Sequence, residues 1–111
     1  MNLLEQLGET LNTYRKHGWQ LRRVLLRPES CAEVSASAAN LFEDAAVQES
    51  TLDALWFARA SHAGREAWEL RLLAETPYAL FETFEADEGE EDREEVRQEM
   101  EARLREYATR R

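Results

Sequence analysis

Three apolar runs constrain this chain more than anything else in it: Val24-Leu25-Leu26, Leu55-Trp56-Phe57 and Ala79-Leu80-Phe81. Each lies in a segment with strand character. A strand with one wet face alternates apolar and polar residues with a period of two. Runs that fail to alternate need cover on both faces of a sheet. The second layer must come from elsewhere in the chain or from another molecule.

The strands are read from their boundaries. Trp19 to Arg27 is a strand ended by Pro28, with Trp19, Leu21 and Leu25 on one face and Gln20, Arg22, Val24 and Leu26 on the other. Leu52 to Ala60, Glu66 to Leu73 and Tyr78 to Phe84 follow, joined by Ser61-His62-Ala63-Gly64 and by Glu75-Thr76-Pro77. Connections this short make an antiparallel meander. A four-residue loop sets Ala60 opposite Arg65, hence Phe57 opposite Trp68 and Leu55 opposite Leu70, with Trp56 on the other face. A three-residue loop would instead put Trp56 across from Trp68.

Helices flank these strands. Leu3, Leu4, Leu7, Leu11 and Tyr14 form one helical stripe, Arg15-Lys16-His17 suits the negative end of the dipole, and Gly18 can stop the helix. Val96, Met100, Leu104 and Tyr107 form a narrower stripe in a charged C-terminal helix. Glu99–Arg103, Glu101–Arg105 and Glu106–Arg110 are its favourable i,i+4 pairs. Residues 29–51 carry the weakest pattern. Ser30 and Glu33 have capping-box spacing, which predicts a short helix from Cys31 to Leu41; a loop is the alternative.

The fold class expected is α+β. A single four-stranded, mostly antiparallel sheet, built from the first strand and the meander, has the N-terminal and C-terminal helices packed on one face. Residues 1–111 form one domain, with 85–95 an acidic linker leading into the last helix. Eight of those eleven residues are acidic and one is basic, so −7 of the formal charge of −9 is local.

Charge and composition narrow the function. A net charge of −9 argues against a nucleic-acid binder. No apolar run reaches membrane-spanning length and no signal-peptide pattern opens the chain, so a cytoplasmic protein is expected. A single cysteine forms no internal disulfide, and paired-cysteine, His-Glu-x-x-His and calcium-loop spacings are all missing, so no metal or cofactor is expected. Cys31, His17 and His62 form no catalytic constellation in sequence. Arg22, Arg23 and Arg27 make the one basic cluster, but alternation divides them between two faces.

The leading functional expectation is a non-enzymatic interaction module that self-associates through the uncovered sheet face. Trp56 and Phe81 would be its anchors, with Val24 and Leu26 beside them. The partner would be a second copy or another protein, and the acidic stretch could steer a basic one. The alternative is a small-molecule-binding or enzymatic domain with a pocket between the sheet and residues 29–51, drawing on Trp19, His62, Arg71 and Tyr78. A third reading rests on size, acidity and architecture alone: in these the chain resembles bacterial secretion chaperones.

Overall fold

The computed structural model describes residues 2–37 and 40–110. In chain order the elements are α1 (Leu3–Lys16), β1 (Gln20–Leu26), α2 (Pro28–Ser37), β2 (Ala46–Glu49), β3 (Ala54–Ala60), a 3-10 turn (His62–Gly64), β4 (Glu66–Leu72), β5 (Tyr78–Phe84) and α3 (Glu90–Thr109). The architecture is α+β, with a mixed sheet of five strands in the order β2-β1-β3-β4-β5. Four of these strands are those expected. The fifth, β2, runs parallel to β1, with Arg23 level with Ala46 and Leu26 with Glu49. All four of its residues are exposed, so its sequence has no alternation to read.

The helix ends follow from local chemistry. Asn2 caps α1, its side-chain oxygen accepting from Glu5 N at 2.9 Å. Gly18 takes φ +85° beyond the last turn. The middle helix starts earlier than the capping-box reading placed it, with Pro28 rather than Cys31 as its first residue. Its cap comes from a distant segment. The carboxylate of Asp53 accepts from Arg27 N at 2.9 Å and from the Ser30 hydroxyl at 2.8 Å. Of the expected helix Cys31–Leu41, positions 38 and 39 lie outside the described residues, and Leu41 belongs to a turn.

Two corrections to the expected arrangement concern the faces. First, the terminal helices do not share one. The α1 and α2 side buries Leu7, Leu11 and Tyr14 with Val24, Leu26, Leu55 and Phe57. The α3 side buries Met100 and Leu104 with Leu25, Trp56, Trp68, Leu70 and Phe84. For the runs Val24–Leu26 and Leu55–Phe57 the second layer is therefore α3, while the run Ala79-Leu80-Phe81 has α3 on one face and no cover over Ala79 and Phe81 on the other.

Second, the β3–β4 register differs by one residue from the four-residue-loop expectation. Ala60 pairs with Glu66, Phe57 with Glu69 and Trp56 with Leu70. Ala63 and Gly64 both take left-handed φ, at 59° and 73°, and Ser61 N donates to Arg65 O at 2.9 Å. The loop thereby absorbs Arg65. Trp56 consequently joins Trp68 on one face, with ring centroids 5.8 Å apart. The shift sends every β3 side chain to the face opposite the one expected.

A bulge in β1 has a similar effect. Leu21 pairs with Phe57 and Arg23 with Trp56, so Arg22 is the extra residue. Arg22 and Arg23 then both stand over the Trp68 ring, at 5.7 and 5.8 Å, instead of dividing between the faces.

Candidate interaction surface

Three of the four residues expected to face a partner belong to the core. Trp56 is 0% exposed and its indole donates to Glu101 Oε2 at 2.8 Å. Val24 and Leu26 are buried against α1 and α2. The fourth, Phe81, is 57% exposed.

The sheet explains why. Phe57, which lies under α1, is level with Glu69, and Glu69 with Phe81, so all three share a face. The buried cluster beneath α1 and α2 draws on β1 and β3 and, among the described residues, on nothing from β4 or β5. Phe81 therefore sits midway along a seven-residue edge strand, on a part of the sheet left without a helix over it. Ala79 and Thr83 flank it on the same face, and neither is charged.

Aromatic and polar groups border this opening. Trp19 meets Phe81 edge-on at 6.3 Å, and the Arg59 guanidinium lies 4.9 Å over Trp19. Tyr14 stacks on Phe57 at 4.0 Å, and its hydroxyl donates to Glu69. Burial, then this bond to a carboxylate, pushes the Tyr14 phenol up to about 12. Tyr14 is thus a neutral donor that fixes Glu69 beside Phe81.

The opposite face of β5 lies under α3. Tyr78 stacks on Tyr107 at 3.7 Å, and Leu80 and Val96 pack on the same cluster. Asp92, Val96, Glu99, Arg103 and Tyr107 follow one another three or four residues apart, which places them along one flank of the helix. Since Tyr107 meets β5, that flank borders the open strand edge. Among the described residues, Glu82 in β5, Asp87 after it, and Asp92 and Glu99 on α3 have no ion-pair partner. The expected Glu99–Arg103 pair does not form, while Glu101–Arg105 and Glu106–Arg110 do.

A second polar cluster ties α3 down. Arg97, 2% exposed, lies 4.0 Å over Trp68 and donates to Glu90 and Glu94. Arg23 donates twice to Glu94, at 2.7 and 3.2 Å, and with Arg97 holds that carboxyl down at about 2. Each arginine here faces a carboxylate, so the cluster is balanced within itself and acts as a clamp. Arg97 lies four residues beyond Arg93 within the charged helix, and nothing in the spacing marks it as buried.

The four residues of the expected pocket do not converge. Trp19 lines an open cleft of about 510 Å³, with Arg15, Arg22 and Phe42, between the start of β1 and the turn at 42–45. Arg71 lines another of about 330 Å³ with Thr10, Glu75 and Pro77. Tyr78 is on the α3 side, and His62 is exposed in the β3–β4 loop. Cys31 is half-buried, and burial raises its thiol pKa, so it is no activated nucleophile. Among the described residues no group of three or more histidine, cysteine, aspartate or glutamate side chains is arranged to hold a metal ion. No helix among them is long and apolar enough to cross a membrane. Comparison with protein-family models, curated proteins and solved structures finds no match to this chain.

Proposed function

We propose that the protein is a non-enzymatic interaction module and that β5 is its contact element. The observation that carries this reading is Phe81: a large aromatic, more than half exposed, centred on an open edge strand whose own helix-free face is uncharged, with Glu69 of the next strand level with it and held by Tyr14. Edge strands offer unpaired backbone groups to another strand, and exposed aromatics supply a large part of interface energy. The broad apolar face that first suggested self-association is occupied by α3, so the reading narrows to this strand.

Light scattering over a concentration series, on the wild type and on Phe81→Glu, tests it. Self-association through β5 would read as a mass near twice 12.9 kDa that falls back in the variant. Association with another protein would read as capture from lysate that the same substitution abolishes. A wild type and variant alike in both respects would refute the assignment of β5.

The cleft beside Trp19 supports a second reading, a small-molecule site. Its volume of about 510 Å³ falls in the usual ligand range, and Trp19 and Phe42 wall it while Arg15 and Arg22 supply charge. A thermal-shift screen against metabolites, in which one chemical class stabilises the wild type but not Trp19→Ala, would favour it.

A further inference from the structure

The two flanks of β5 differ in chemistry, and that difference specifies a partner. On the α1 side a strand added to β5 would meet Phe81 between Ala79 and Thr83, with Trp19 behind. On the α3 side it would meet Glu82 and the row of Asp92, Glu99 and Arg103, with Asp87 at the end of the strand, so that four carboxylates face one guanidinium. Resting on the reading of β5 as the contact element, we infer that its occupant is an extended segment alternating apolar and basic residues, added to the sheet as a sixth strand beside β5.

The argument joins backbone and side-chain periodicity. A strand presents successive side chains to opposite faces. Its apolar set then packs on Phe81 while its basic set points at carboxylates that lack partners in the chain itself. Edge addition supplies the backbone hydrogen bonds and the alternating pockets supply selectivity. A second copy of this chain fits less well. Its own β5 would present Ala79, Phe81 and Thr83 to one face but uncharged Tyr78 and Leu80, with acidic Glu82, to the other. Those side chains bring no cation to the acidic row.

Fluorescence anisotropy with labelled synthetic peptides tests the inference on the intact chain. The probe alternates valine and lysine over eight residues. The controls have the same composition in two blocks, or glutamate in place of lysine. Further versions are N-methylated at every second residue, in either phase. Binding is expected for the alternating lysine peptide, weaker by at least tenfold for the block and glutamate peptides. One N-methylated phase should abolish it and the other should be tolerated. Moving from 50 to 300 mM salt should weaken it by about tenfold, because the pairs are solvent-exposed. Asp92→Asn with Glu99→Gln should remove most of that salt dependence, and Phe81→Ser should weaken binding at every salt concentration. These surface changes leave the core intact, and circular dichroism checks that they do.

Equal binding of block and alternating peptides would mean attraction to the acidic stretch without strand addition, and would overturn the inference. Binding unaffected by Phe81→Ser would overturn it as well. A protein that ignores every peptide but dimerises through Phe81 has β5 occupied by its own copy; the inference then fails and the reading of β5 stands. Neither peptide binding nor any effect of Phe81→Glu on association would remove both.

Discussion

Trp56→Phe tests whether the side chain acts in the core or at a surface. Trp56 is wholly buried, and its indole N–H donates to Glu101, whose carboxylate is itself buried. The phenyl ring removes the donor and leaves Glu101 with Arg105 at 3.8 Å as its remaining partner. Losing a hydrogen bond to a charged group costs about 1.5–3 kcal/mol. The smaller ring leaves roughly 40 Å³ unfilled, worth about 1 kcal/mol if the site does not collapse. Together these give a loss of about 3 kcal/mol, a large part of a typical ~5–15 kcal/mol stability. With a urea m-value of about 1.5 kcal/mol/M, the midpoint should fall by about 2 M.

Glu101→Ala leaves the neutral indole N–H unpaired and should cost about 1–2 kcal/mol. The double variant should be more stable than the sum of the two losses predicts, by about 2 kcal/mol. Urea denaturation followed by far-UV circular dichroism measures all four proteins. A loss under about 1 kcal/mol in Trp56→Phe, or strict additivity in the cycle, would refute the reasoning and leave Trp56 held by packing alone. The solution mass should not change in either single variant.

Phe81→Ser should move stability by no more than about 0.5 kcal/mol, since its ring is mostly exposed, so an effect on association with an unchanged urea midpoint separates surface from core. Glu94 is ionised in the fold down to about pH 2 but only to its ordinary 4.5 when unfolded. Its contribution is complete above pH 4.5 and lost as pH falls through about 2. The side chain is 36% exposed, so solvent screening reduces the contribution to about 1 kcal/mol. Glu94→Gln should flatten the stability–pH curve in that window. Tyr14 has the opposite sign: its raised phenol pKa contributes stability below pH 10 that is lost as pH rises through about 12. Ultraviolet titration should show one tyrosine ionising late, and Tyr14→Phe should abolish that phase. Asp53→Ala removes the acceptor for Arg27 N and Ser30 and should cost about 2 kcal/mol, with amide exchange in α2 accelerating ahead of the rest of the protein.

The sequence carried strong signals where periodicity was strong. The stripe from Leu3 to Tyr14, the alternation of Trp68, Leu70 and Leu72, and the stripe from Val96 to Tyr107 all mark observed elements. The unbroken apolar runs at Val24–Leu26 and Leu55–Phe57 correctly required two covered faces, whereas the run Ala79-Leu80-Phe81 is covered on one face only, with Ala79 and Phe81 exposed. The runs could not say which helix took which face, because a narrow stripe on α3 and a broad one on α1 suit either side. The register failed on one torsion: Ala63 has no need of a left-handed φ in isolation, and only the closed loop imposes it. The bulge at Arg22 left no mark, as nothing distinguishes it from an alternating residue. At the candidate surface Phe81 was legible as an aromatic in a strand, whereas its separation from Trp56 depended on that same loop.

Covering the Trp56 face with the last helix has a consequence for the order in which the chain emerges. Synthesis runs from the N-terminus, so α1 and α2 are available as soon as the strands form, while residues 90–109 emerge only after every strand of the sheet. Until they emerge, a nascent sheet carries Trp56, Trp68, Leu70 and Phe84 bare to water. A ribosome-stalled chain ending before Glu90 should therefore bind hydrophobic dyes more strongly than the full chain does. The charged helix α3 is the piece that takes this apolar face out of water.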